Sequence, residues 1–327
     1  MKKSVGKDFE FGICMHYQKH CDYSFLYNEE YIKLAKEMGM TCIRCDGIIE
    51  SEEDLANFDE CVELCQKYNM EIMWVLGNLF ADGVPGRPKW DFPDGYTNYA
   101  NFVASRYKGK VKYYQLLNET PDWAMKNDEE RINRKRADGK DADGLFLSDY
   151  NKKRLDFACD RILAYEKGIR QADPDAKTVV NFSWWHVAGI EYYLQRGCTF
   201  DVIGMDWYSN AEDNCPATAV MDYLFNKFPE KQVMVCESNK YFIAPAEDEE
   251  EQESKWCIDF AKKLYSLDDE RLLGVIFYEL VDDKRYEKSG NFTGEAHLGF
   301  IRTDKIGKPI YKKKVFNDIK EYISSLR

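Results

Sequence analysis

Short apolar runs alternate with longer amphipathic stretches from one end of the chain to the other. Eight of these runs have the length and the β-branched and aromatic content of strands, and apolar residues recur at helical spacing in the stretches between them. The predicted strands are Phe9–Met15, Thr41–Asp46, Glu71–Gly77, Val111–Leu117, Thr178–Phe182, Val202–Asp206, Gln232–Cys236 and Gly274–Tyr278. The predicted helices are 28–39, 52–68, 96–107, 147–172, 185–196, 216–229, 251–266 and 308–325.

The regular alternation of strand and helix predicts an α/β fold in which parallel strands are joined by right-handed crossovers. Eight strand–helix units in 327 residues close a barrel more naturally than they form an open sheet. No linker divides the chain, and the sequence contains no repeat beyond the alternation itself. We therefore predict a single domain, 1–327, with the fold of a (β/α)8 (TIM) barrel.

Local signals set the ends of several helices. Ser51 precedes an acidic run that begins at Glu52, so a capping hydroxyl and an acidic first turn favour a helix start there. The helix 147–172 is predicted to end before Pro174, because the residue before a proline disfavours helical backbone. Pro309 is compatible with the first turn of the last predicted helix.

Composition excludes several classes of protein. Hydrophobic residues make up 44% of the chain, which excludes wholesale disorder, and a net charge of −12 provides no basic surface for nucleic acid. No apolar stretch approaches the ~20 residues that span a membrane, and the N-terminus lacks the apolar run of a signal peptide. The 11 cysteines, an odd number, favour a reducing compartment. We expect a cytoplasmic protein, or a secreted one whose leader this sequence lacks.

Two glutamates stand directly after predicted strands. Glu119 follows the fourth strand, and Glu237 follows the seventh. Active sites of (β/α)8 barrels form at the carboxyl ends of the strands. Glycoside hydrolysis commonly needs two carboxyl groups, one that donates a proton to the leaving oxygen and one that attacks the anomeric carbon or activates water. The two glutamates are therefore the best catalytic candidates among 58 acidic residues, with structural salt bridges as the alternative.

Asn118-Glu119 at the end of strand four and a single Glu237 at the end of strand seven resemble the signature of glycoside hydrolase clan A. The resemblance covers nearly the whole chain, and it implies that Glu119 is the acid/base and Glu237 the nucleophile of a retaining mechanism. Asn118 matches the clan residue that contacts the sugar 2-hydroxyl. Arg44 matches the arginine beside the nucleophile, where its charge would favour the ionised carboxylate. Tyr208 matches the tyrosine that orients the nucleophile.

The chain also departs from the clan pattern. Tyr278 stands at the end of strand eight, where clan members often carry a tryptophan that forms the floor of the sugar site. Asp206 and Trp207 precede Tyr208, where many relatives have a histidine. These differences concern the substrate and the subfamily rather than the reaction.

Other side chains near strand ends complete the set of candidates. The further substrate-binding candidates are His16, Asn78, Trp185, His186, Trp207 and Tyr278. The tryptophans that suggest a stacking cleft, with packing as the alternative, are Trp90, Trp123, Trp185, Trp207 and Trp256. The rival carboxylates, which we expect to bind hydroxyls or structural cations, are Asp46, Asp206 and Glu279. Two charged segments, Lys126–Asp143 and Glu247–Glu253, are expected to be solvated loops, with a lid as the alternative.

Cysteine spacing is a competing signal. Cys42 and Cys45, together with Cys61 and Cys65, have spacing that zinc sites use. However, residues three apart on a strand point to opposite faces, and cysteines on one helical face are common in a core. We therefore expect no metal. The sequence has no glycine-rich phosphate loop, serine elbow or Schiff-base lysine, and we expect no cofactor.

The sequence leads to the hypothesis of a retaining O-glycosidase that acts on β-linked (or stereochemically equivalent) oligo- or polysaccharide by double displacement. The strand-end pattern resembles the family 39 type, with the family 53 and family 5 types as neighbours. The alternatives are a transglycosidase of the same architecture, a catalytically silent sugar-binding barrel, and a barrel of another class such as an aldolase. The sequence does not determine the sugar, the linkage, exo or endo action, the oligomeric state or protein partners.

Overall fold

Eight parallel strands form a closed barrel in which they follow one another in chain order. The computed structural model describes residues 9–16, 25–49, 51–77, 95–126, 143–283 and 293–327. The strands are β1 (Glu10–His16), β2 (Cys42–Asp46), β3 (Glu71–Val75), β4 (Tyr113–Gln115), β5 (Lys177–Ser183), β6 (Val202–Asp206), β7 (Gln232–Glu237) and β8 (Leu272–Phe277). The predicted (β/α)8 barrel is confirmed.

Helices separate the strands along the described parts of the chain. They are α1 (Asn28–Glu37), α2 (Glu52–Lys67), α3 (Tyr96–Arg106), α4 (Thr120–Ala124), α5 (Lys152–Ala172), α6 (Val187–Gln195), α7 (Ser209–Asn214), α8 (Ala217–Lys227), α9 (Glu249–Tyr265) and α10 (Lys314–Leu326). No helix in the described ranges has the length and apolar character needed to cross a membrane.

Two helix boundaries confirm the local sequence signals. Helix α2 begins at Glu52, directly after Ser51, and has three acidic residues in its first turn. Helix α5 ends at Ala172, two residues before Pro174. In both cases residues next to the boundary indicate it, because acidic residues favour the first turn of a helix and the residue before a proline disfavours helical backbone.

Two other predicted helix starts are wrong. Residues Pro309–Lys312 form a strand, β10, that pairs antiparallel with β9 (Ile301–Thr303), and α10 begins only at Lys314. The partner strand β9 is separated from β10 by a turn, so the presence of Pro309 alone does not reveal that the two strands pair. The predicted helix 147–172 begins at Lys152, because the Asn151 side chain accepts hydrogen bonds from two backbone N–H groups and caps the first turn.

By their internal contacts the residues group into two compact units. The first unit comprises Met1–Gly47, Glu52–Met73 and Trp207–Arg327, and the second comprises Ile48–Ser51 and Trp74–Asp206. Each unit carries strand ends with polar side chains. The single domain predicted for 1–327 stays a prediction.

The strand register of each unit brings specific side chains to the same level. In the first unit β1 pairs with β2 so that His16 lies opposite Asp46. In the second unit β5 pairs with β6 so that Ser183 lies opposite Asp206. Because parallel neighbouring strands end together, polar residues at these last positions lie at the carboxyl end of the strands.

Candidate active site

In the first unit, Glu237 is the last residue of β7, and two side chains hold its carboxylate. Its Oε1 lies 2.8 Å from Nη1 of Arg44, and its Oε2 accepts a hydrogen bond from the Tyr208 hydroxyl at 2.7 Å. Arg44 and Glu237 are both buried. The two bonds fix both oxygens, so the carboxylate is oriented and balanced by a permanent positive charge.

The buried side chain of Cys14 on β1 supports Arg44. The Cys14 Sγ accepts from Arg44 Nη1 at 3.4 Å, and its thiol donates to the backbone carbonyl of Cys236 at 3.7 Å. Burial raises the pKa of the Cys14 thiol, so this side chain stays neutral beside Glu237. The thiol is therefore a neutral packing group that helps to place the guanidinium.

Tyrosine rings surround the hydroxyl that contacts Glu237. The Tyr208 ring packs edge-to-face on Tyr241 and on Tyr278, with ring centroids 6.3 Å apart in both pairs. Such packing restricts the rotation of Tyr208. Tyr278, predicted to bind substrate at the end of β8, thus lies beside the nucleophile candidate in the first unit. The peptide bond between Tyr278 and Glu279 is cis.

His16 at the end of β1 lies between two carboxylates. Its Nδ1 is 2.7 Å from Asp46 Oδ1, and its Nε2 is 3.0 Å from Glu279 Oε2 and 3.1 Å from the Tyr278 hydroxyl. Burial opposes protonation, but the two carboxylates outweigh it and hold the pKa of His16 well above the ordinary histidine value. Asp46 and Glu279, expected to bind hydroxyls or cations, therefore hold an imidazolium.

Glu295 is a carboxyl of the first unit that the sequence did not single out. It lies in the short 3-10 helix Gly294–His297, away from any of the eight barrel strands. Burial, together with the charges of Glu237 and Glu279, raises the pKa of Glu295 to about 7. A carboxyl of this kind holds a proton in mildly acidic solution and donates a hydrogen bond. Glu295 does not follow a predicted strand, so a search for carboxyl groups at strand ends does not find it.

In the second unit, Glu119 occupies the junction between β4 and α4. Its backbone is left-handed, with φ 43° and ψ 44°, and its N–H donates to Asn181 Oδ1 at 2.9 Å. Asn118 Oδ1 accepts from Gln115 Nε2 and from Asn181 Nδ2, both at 2.9 Å. Asn181 Nδ2 also donates to Asp206 Oδ2 at 2.6 Å. Asn181 therefore fixes the main chain of Glu119 and the amide of Asn118 at once.

Asn181 was missed by sequence reasoning, although a signal for it existed. It is a buried amide inside the apolar run of β5, and a buried polar side chain in a strand needs partners. Its partners are Asn118 and Glu119, which follow β4, and Asp206 at the end of β6. Asp206, expected to bind hydroxyls or cations, instead anchors this amide.

Asp122 in α4 fastens the turn that follows β5. Its carboxylate accepts from the Ser183 backbone N–H at 3.1 Å, from the Ser183 hydroxyl and from His186 Nδ1 at 2.6 Å. His186, a predicted substrate-binding residue, is thereby oriented by Asp122 and is only partly exposed. Trp185, in the same turn, is also partly exposed.

The predicted tryptophan cleft is only partly supported by exposure. Trp207 is fully buried, and its indole N–H donates to Glu212 Oε2 at 3.0 Å, which speaks against contact with a substrate. Trp256 stacks on Phe260 with ring centroids 4.8 Å apart, and Trp123 packs on Phe157. The remaining candidates Asn78 and Trp90 lie outside the described residues.

The cysteines that suggested zinc form a buried thiol cluster. A hydrogen bond to Cys61 and burial raise the pKa of both Cys45 and Cys65 well above the ordinary thiol value. Zinc ligation requires thiolates, whereas these conditions favour thiols. Within the described ranges, no group of three or more His, Cys, Asp or Glu side chains is positioned to hold a metal ion.

Several solved structures are similar to this one along almost its whole length. Fpglu1 from Fervidobacterium pennivoraus has 13% sequence identity and a TM-score of 0.70, with 98% of this chain and 96% of that chain covered. The AHE enzyme from Alicyclobacillus herbarius has 10% identity and a TM-score of 0.67, with 98% and 97% covered. A family 1 β-glucosidase from Thermotoga maritima has 10% identity and a TM-score of 0.65, with 98% of both chains covered. The chain shares their fold. No family model and no curated protein matches its sequence.

Proposed function

We propose that the protein is a retaining glycoside hydrolase of clan A that cleaves β-linked O-glycosidic bonds. The observation that carries the proposal is the environment of Glu237 at the end of β7. Arg44 and Tyr208 hold the two oxygens of its carboxylate. A nucleophilic carboxylate must be aimed at the anomeric carbon, and these two contacts fix the positions of both oxygens. Glu119 at the end of β4 is the proton donor of the proposal.

The first step of the proposed mechanism forms a glycosyl-enzyme. A Glu237 oxygen attacks the anomeric carbon while Glu119 gives its proton to the leaving oxygen, so the glycosidic bond breaks and the leaving group departs as an alcohol. Asn118 contacts the 2-hydroxyl, where hydrogen bonds strengthen in the transition state. The two bonds that Asn118 Oδ1 accepts fix the direction of its amide nitrogen, which is the donor in this contact.

The second step releases the sugar with its original anomeric configuration. The Glu119 carboxylate takes a proton from water, the water oxygen attacks the anomeric carbon, and the bond to Glu237 breaks. Glu119 thus acts as an acid and then as a base. Asn181 positions this segment, because it donates a hydrogen bond to the Asn118 side chain and accepts one from the Glu119 N–H.

The names of the similar structures support a β-glycoside as the first substrate to test. One is a family 1 β-glucosidase from Thermotoga maritima, and another is that β-glucosidase in complex with glucoimidazole. The strand-end pattern of the sequence favours the family 39, 53 and 5 types instead. The family and the preferred sugar therefore have to be determined separately from membership of the clan. A panel of 4-nitrophenyl β-glycosides, read for released nitrophenol, identifies the sugar.

Chemical rescue tests the two glutamates. Glu237→Gly is expected to abolish turnover of the preferred 4-nitrophenyl glycoside, and added azide is expected to restore turnover with an α-glycosyl azide as product. Glu119→Gly with azide is expected to give the β-glycosyl azide, because azide then attacks the glycosyl-enzyme in place of water. Product configuration is measured by NMR.

Glu230→Ala is the matched control for these variants. Glu230 is exposed and precedes β7, so the change removes a carboxylate near the opposite end of the same strand. Its kcat and KM are expected to equal those of the unchanged protein. Full activity of Glu237→Gly without azide would overturn the nucleophile assignment.

The cysteines support a proposal about location. The ten cysteines that the structure describes are all buried free thiols. Thiols of this kind persist in reducing compartments. We propose on this basis that the protein works in the cytoplasm on a carbohydrate substrate.

A further inference from the structure

Two buried cysteine side chains of the second unit are in contact. The Sγ atoms of Cys159 on α5 and of Cys198, in the segment between α6 and β6, lie 3.7 Å apart and share a hydrogen bond. The proposed reaction uses neither thiol. A disulfide bond is about 2.05 Å long, so the two sulfurs need to approach each other by only roughly 1.7 Å to be joined.

Hydrogen bonds hold the backbone around Cys198 against α5. The Glu166 carboxylate on α5 accepts from the Thr199 backbone N–H at 3.1 and 2.9 Å and from the Thr199 hydroxyl at 2.9 Å. The Cys198 N–H donates to the Tyr193 carbonyl of α6 at 3.1 Å. Glu166 follows Cys159 by about two turns of the same helix. One helix therefore carries the first thiol and fixes the segment that carries the second.

An arginine places a positive charge beside Cys159. Arg196 Nη1 lies 3.0 Å from Asp156 Oδ1, and its Nη2 lies 3.8 Å from Asp160 Oδ1, so the guanidinium lies against the part of α5 that contains Cys159. The hydrogen bond from Cys198 and the charge of Arg196 outweigh burial and lower the pKa of Cys159. The hydrogen bond and burial raise the pKa of Cys198. Cys159 is therefore the member of the pair that ionises first.

The pair lies under a side chain that reaches the solvent. Cys159 is fully buried and Cys198 exposes 4% of its surface, whereas 43% of the Arg196 side chain is exposed. Rotation of the long, flexible arginine side chain opens a path for a small uncharged oxidant. Because thiolates react with peroxides and thiols do not, hydrogen peroxide is the oxidant that suits this site.

A second group of contacting thiols differs in its charge. Cys61 shares hydrogen bonds with Cys45 and with Cys65, and these bonds and burial hold the pKa of both partners well above the ordinary thiol value. The charge of Asp46 near Cys45 is negative and opposes ionisation further. Contact between thiols is therefore not sufficient for reactivity, and the arginine distinguishes the first pair from this group.

We propose that Cys159 and Cys198 are a modification site that hydrogen peroxide converts into a reversible disulfide. The Cys159 thiolate attacks one peroxide oxygen, the O–O bond breaks, and hydroxide leaves, so Cys159 becomes a sulfenic acid. The Cys198 sulfur then attacks the Cys159 sulfur, the S–O bond breaks, and the thiol proton leaves with the hydroxide as water. Two electrons pass from the sulfurs to the peroxide, and a dithiol reductant returns them.

The disulfide joins two elements that both contact α4, the helix directly after Glu119. Arg154 on α5 donates to the Trp123 carbonyl in α4 at 3.3 Å. Gly189 on α6 packs so closely on α4 that an added Cβ would lie 2.7 Å from Pro121 Cβ. Approach of the two sulfurs therefore shifts the supports of α4 relative to each other, and we expect the activity to fall. The effect on activity rests on the proposed function, whereas the formation of the disulfide does not.

The test is a peptide map of the whole protein after treatment with hydrogen peroxide. Free thiols are capped with iodoacetamide, and trypsin then releases Cys159 in the peptide Leu155–Arg161 and Cys198 in the peptide Gly197–Lys227. We expect mass spectrometry to find the two peptides joined through these cysteines, with the loss of one hydrogen atom from each thiol. Treatment with dithiothreitol before capping is expected to separate them.

The peptide Gly197–Lys227 provides its own matched control, because it also contains Cys215. Cys215→Ser is expected to form the cross-link to the same extent as the unchanged protein, and Cys198→Ser is expected to form none. In Cys198→Ser the sulfenic acid has no partner thiol, so dimedone is expected to label Cys159. Cys159→Ser removes the other half of the pair, and the melting temperature verifies that each variant is folded.

Activity is measured on the same samples with the preferred 4-nitrophenyl glycoside. In the unchanged protein and in Cys215→Ser, oxidation is expected to lower kcat/KM at least about threefold, since small displacements near a catalytic group are costly, and dithiothreitol is expected to restore it. In Cys198→Ser, oxidation is expected to leave kcat/KM unchanged.

The outcomes separate the modification from its effect. Absence of the joined peptides, or equal cross-linking in Cys198→Ser, would overturn the modification site. A cross-link that leaves kcat/KM unchanged would overturn the effect on activity, while the modification site stands. If the unchanged protein hydrolyses no glycoside, the glycosidase proposal and the effect on activity fail, and the peptide map still decides whether the disulfide forms.

Discussion

Arg44 and Tyr208 hold opposite oxygens of the Glu237 carboxylate, and only Arg44 carries a charge. Removal of Arg44 would leave a buried carboxylate without a counter-charge, which disturbs folding as well as chemistry. Tyr208 contributes one hydroxyl, on a ring already fixed by its aromatic neighbours. It is therefore the cleaner position at which to test the orientation of the nucleophile.

Tyr208→Phe is expected to lower kcat/KM for the preferred aryl glycoside about ten- to a hundredfold. A hydrogen bond to a charged group contributes about 1.5–3 kcal/mol, and phenylalanine keeps the ring while removing the donor. Steady-state kinetics measures the effect. Tyr223→Phe, at an exposed tyrosine on α8, is the matched control with unchanged kinetics. Equal kinetics for the two variants would contradict a role for Tyr208 in aiming Glu237.

The position of a residue along a strand was informative about which side chains meet. Arg44 and Tyr208 stand at strand ends, and the structure brings both to Glu237. The partners of His16 were hidden, because Asp46 lies 30 residues away and becomes its neighbour only through strand register. Glu295 was hidden for the same reason, since its raised pKa comes from charges distant along the chain.

A buried ion network in the first unit connects α9, the segment after β8 and the residue before α10. Lys313, directly before α10, lies 2.7 Å from Asp282 Oδ1 and donates to the His297 carbonyl at 2.7 Å. Burial favours the neutral amine, but Glu253 and Asp282 outweigh it and hold the pKa of Lys313 above its ordinary value. Glu253 on α9 accepts a hydrogen bond from Asn239 Nδ2 at 3.1 Å. Asn239 lies two residues after Glu237 in the sequence.

The network predicts a pH dependence of stability. Burial raises the pKa of Glu253 from 4.5 to about 7, although Lys313 and Asn239 partly oppose this. Between these values the folded protein holds a proton that the unfolded chain releases, so this residue makes stability fall as pH rises through that window. Glu253→Gln is expected to remove this fall, so the stability of the variant relative to the unchanged protein is lower at about pH 5 than at about pH 7.5.

Urea unfolding at the two pH values measures the free energies of unfolding. Glu251→Gln, on the exposed face of α9, is the control and is expected to leave the pH profile unchanged. Parallel profiles for Glu253→Gln and the unchanged protein would show that Glu253 has the same proton affinity in the folded and unfolded states.

The eight barrel strands were predictable because each is a short apolar run bounded by polar segments. β6 has the predicted bounds, and the others differ by a few residues at their ends. The short helices α4 and α7 were missed, since five or six residues do not complete two helical turns and leave no periodic pattern. β10 was misread as helix because its pairing with β9 is a tertiary contact.

The two proposed catalytic carboxyls belong to residues at the ends of two strands, Glu119 after β4 and Glu237 at the end of β7. A retaining mechanism requires the carboxyl groups about 5–5.5 Å apart, whereas an inverting one requires about 6.5–9.5 Å to admit a water. A crystal structure after reaction with a 2-deoxy-2-fluoro glycoside is expected to show the shorter separation and a covalent bond to Glu237. The longer separation, with no adduct, would count against retention.

Gly144 and Asp149 fix the backbone of the loop that precedes α5. Any side chain at Gly144 collides with His186, and loss of the Asp149 carboxylate leaves two amide groups without their acceptor. The side chains of Leu145, Phe146 and Leu147, by contrast, are partly exposed to solvent. Substitutions are therefore expected to cost more stability at Gly144 and Asp149 than at these three partly exposed positions.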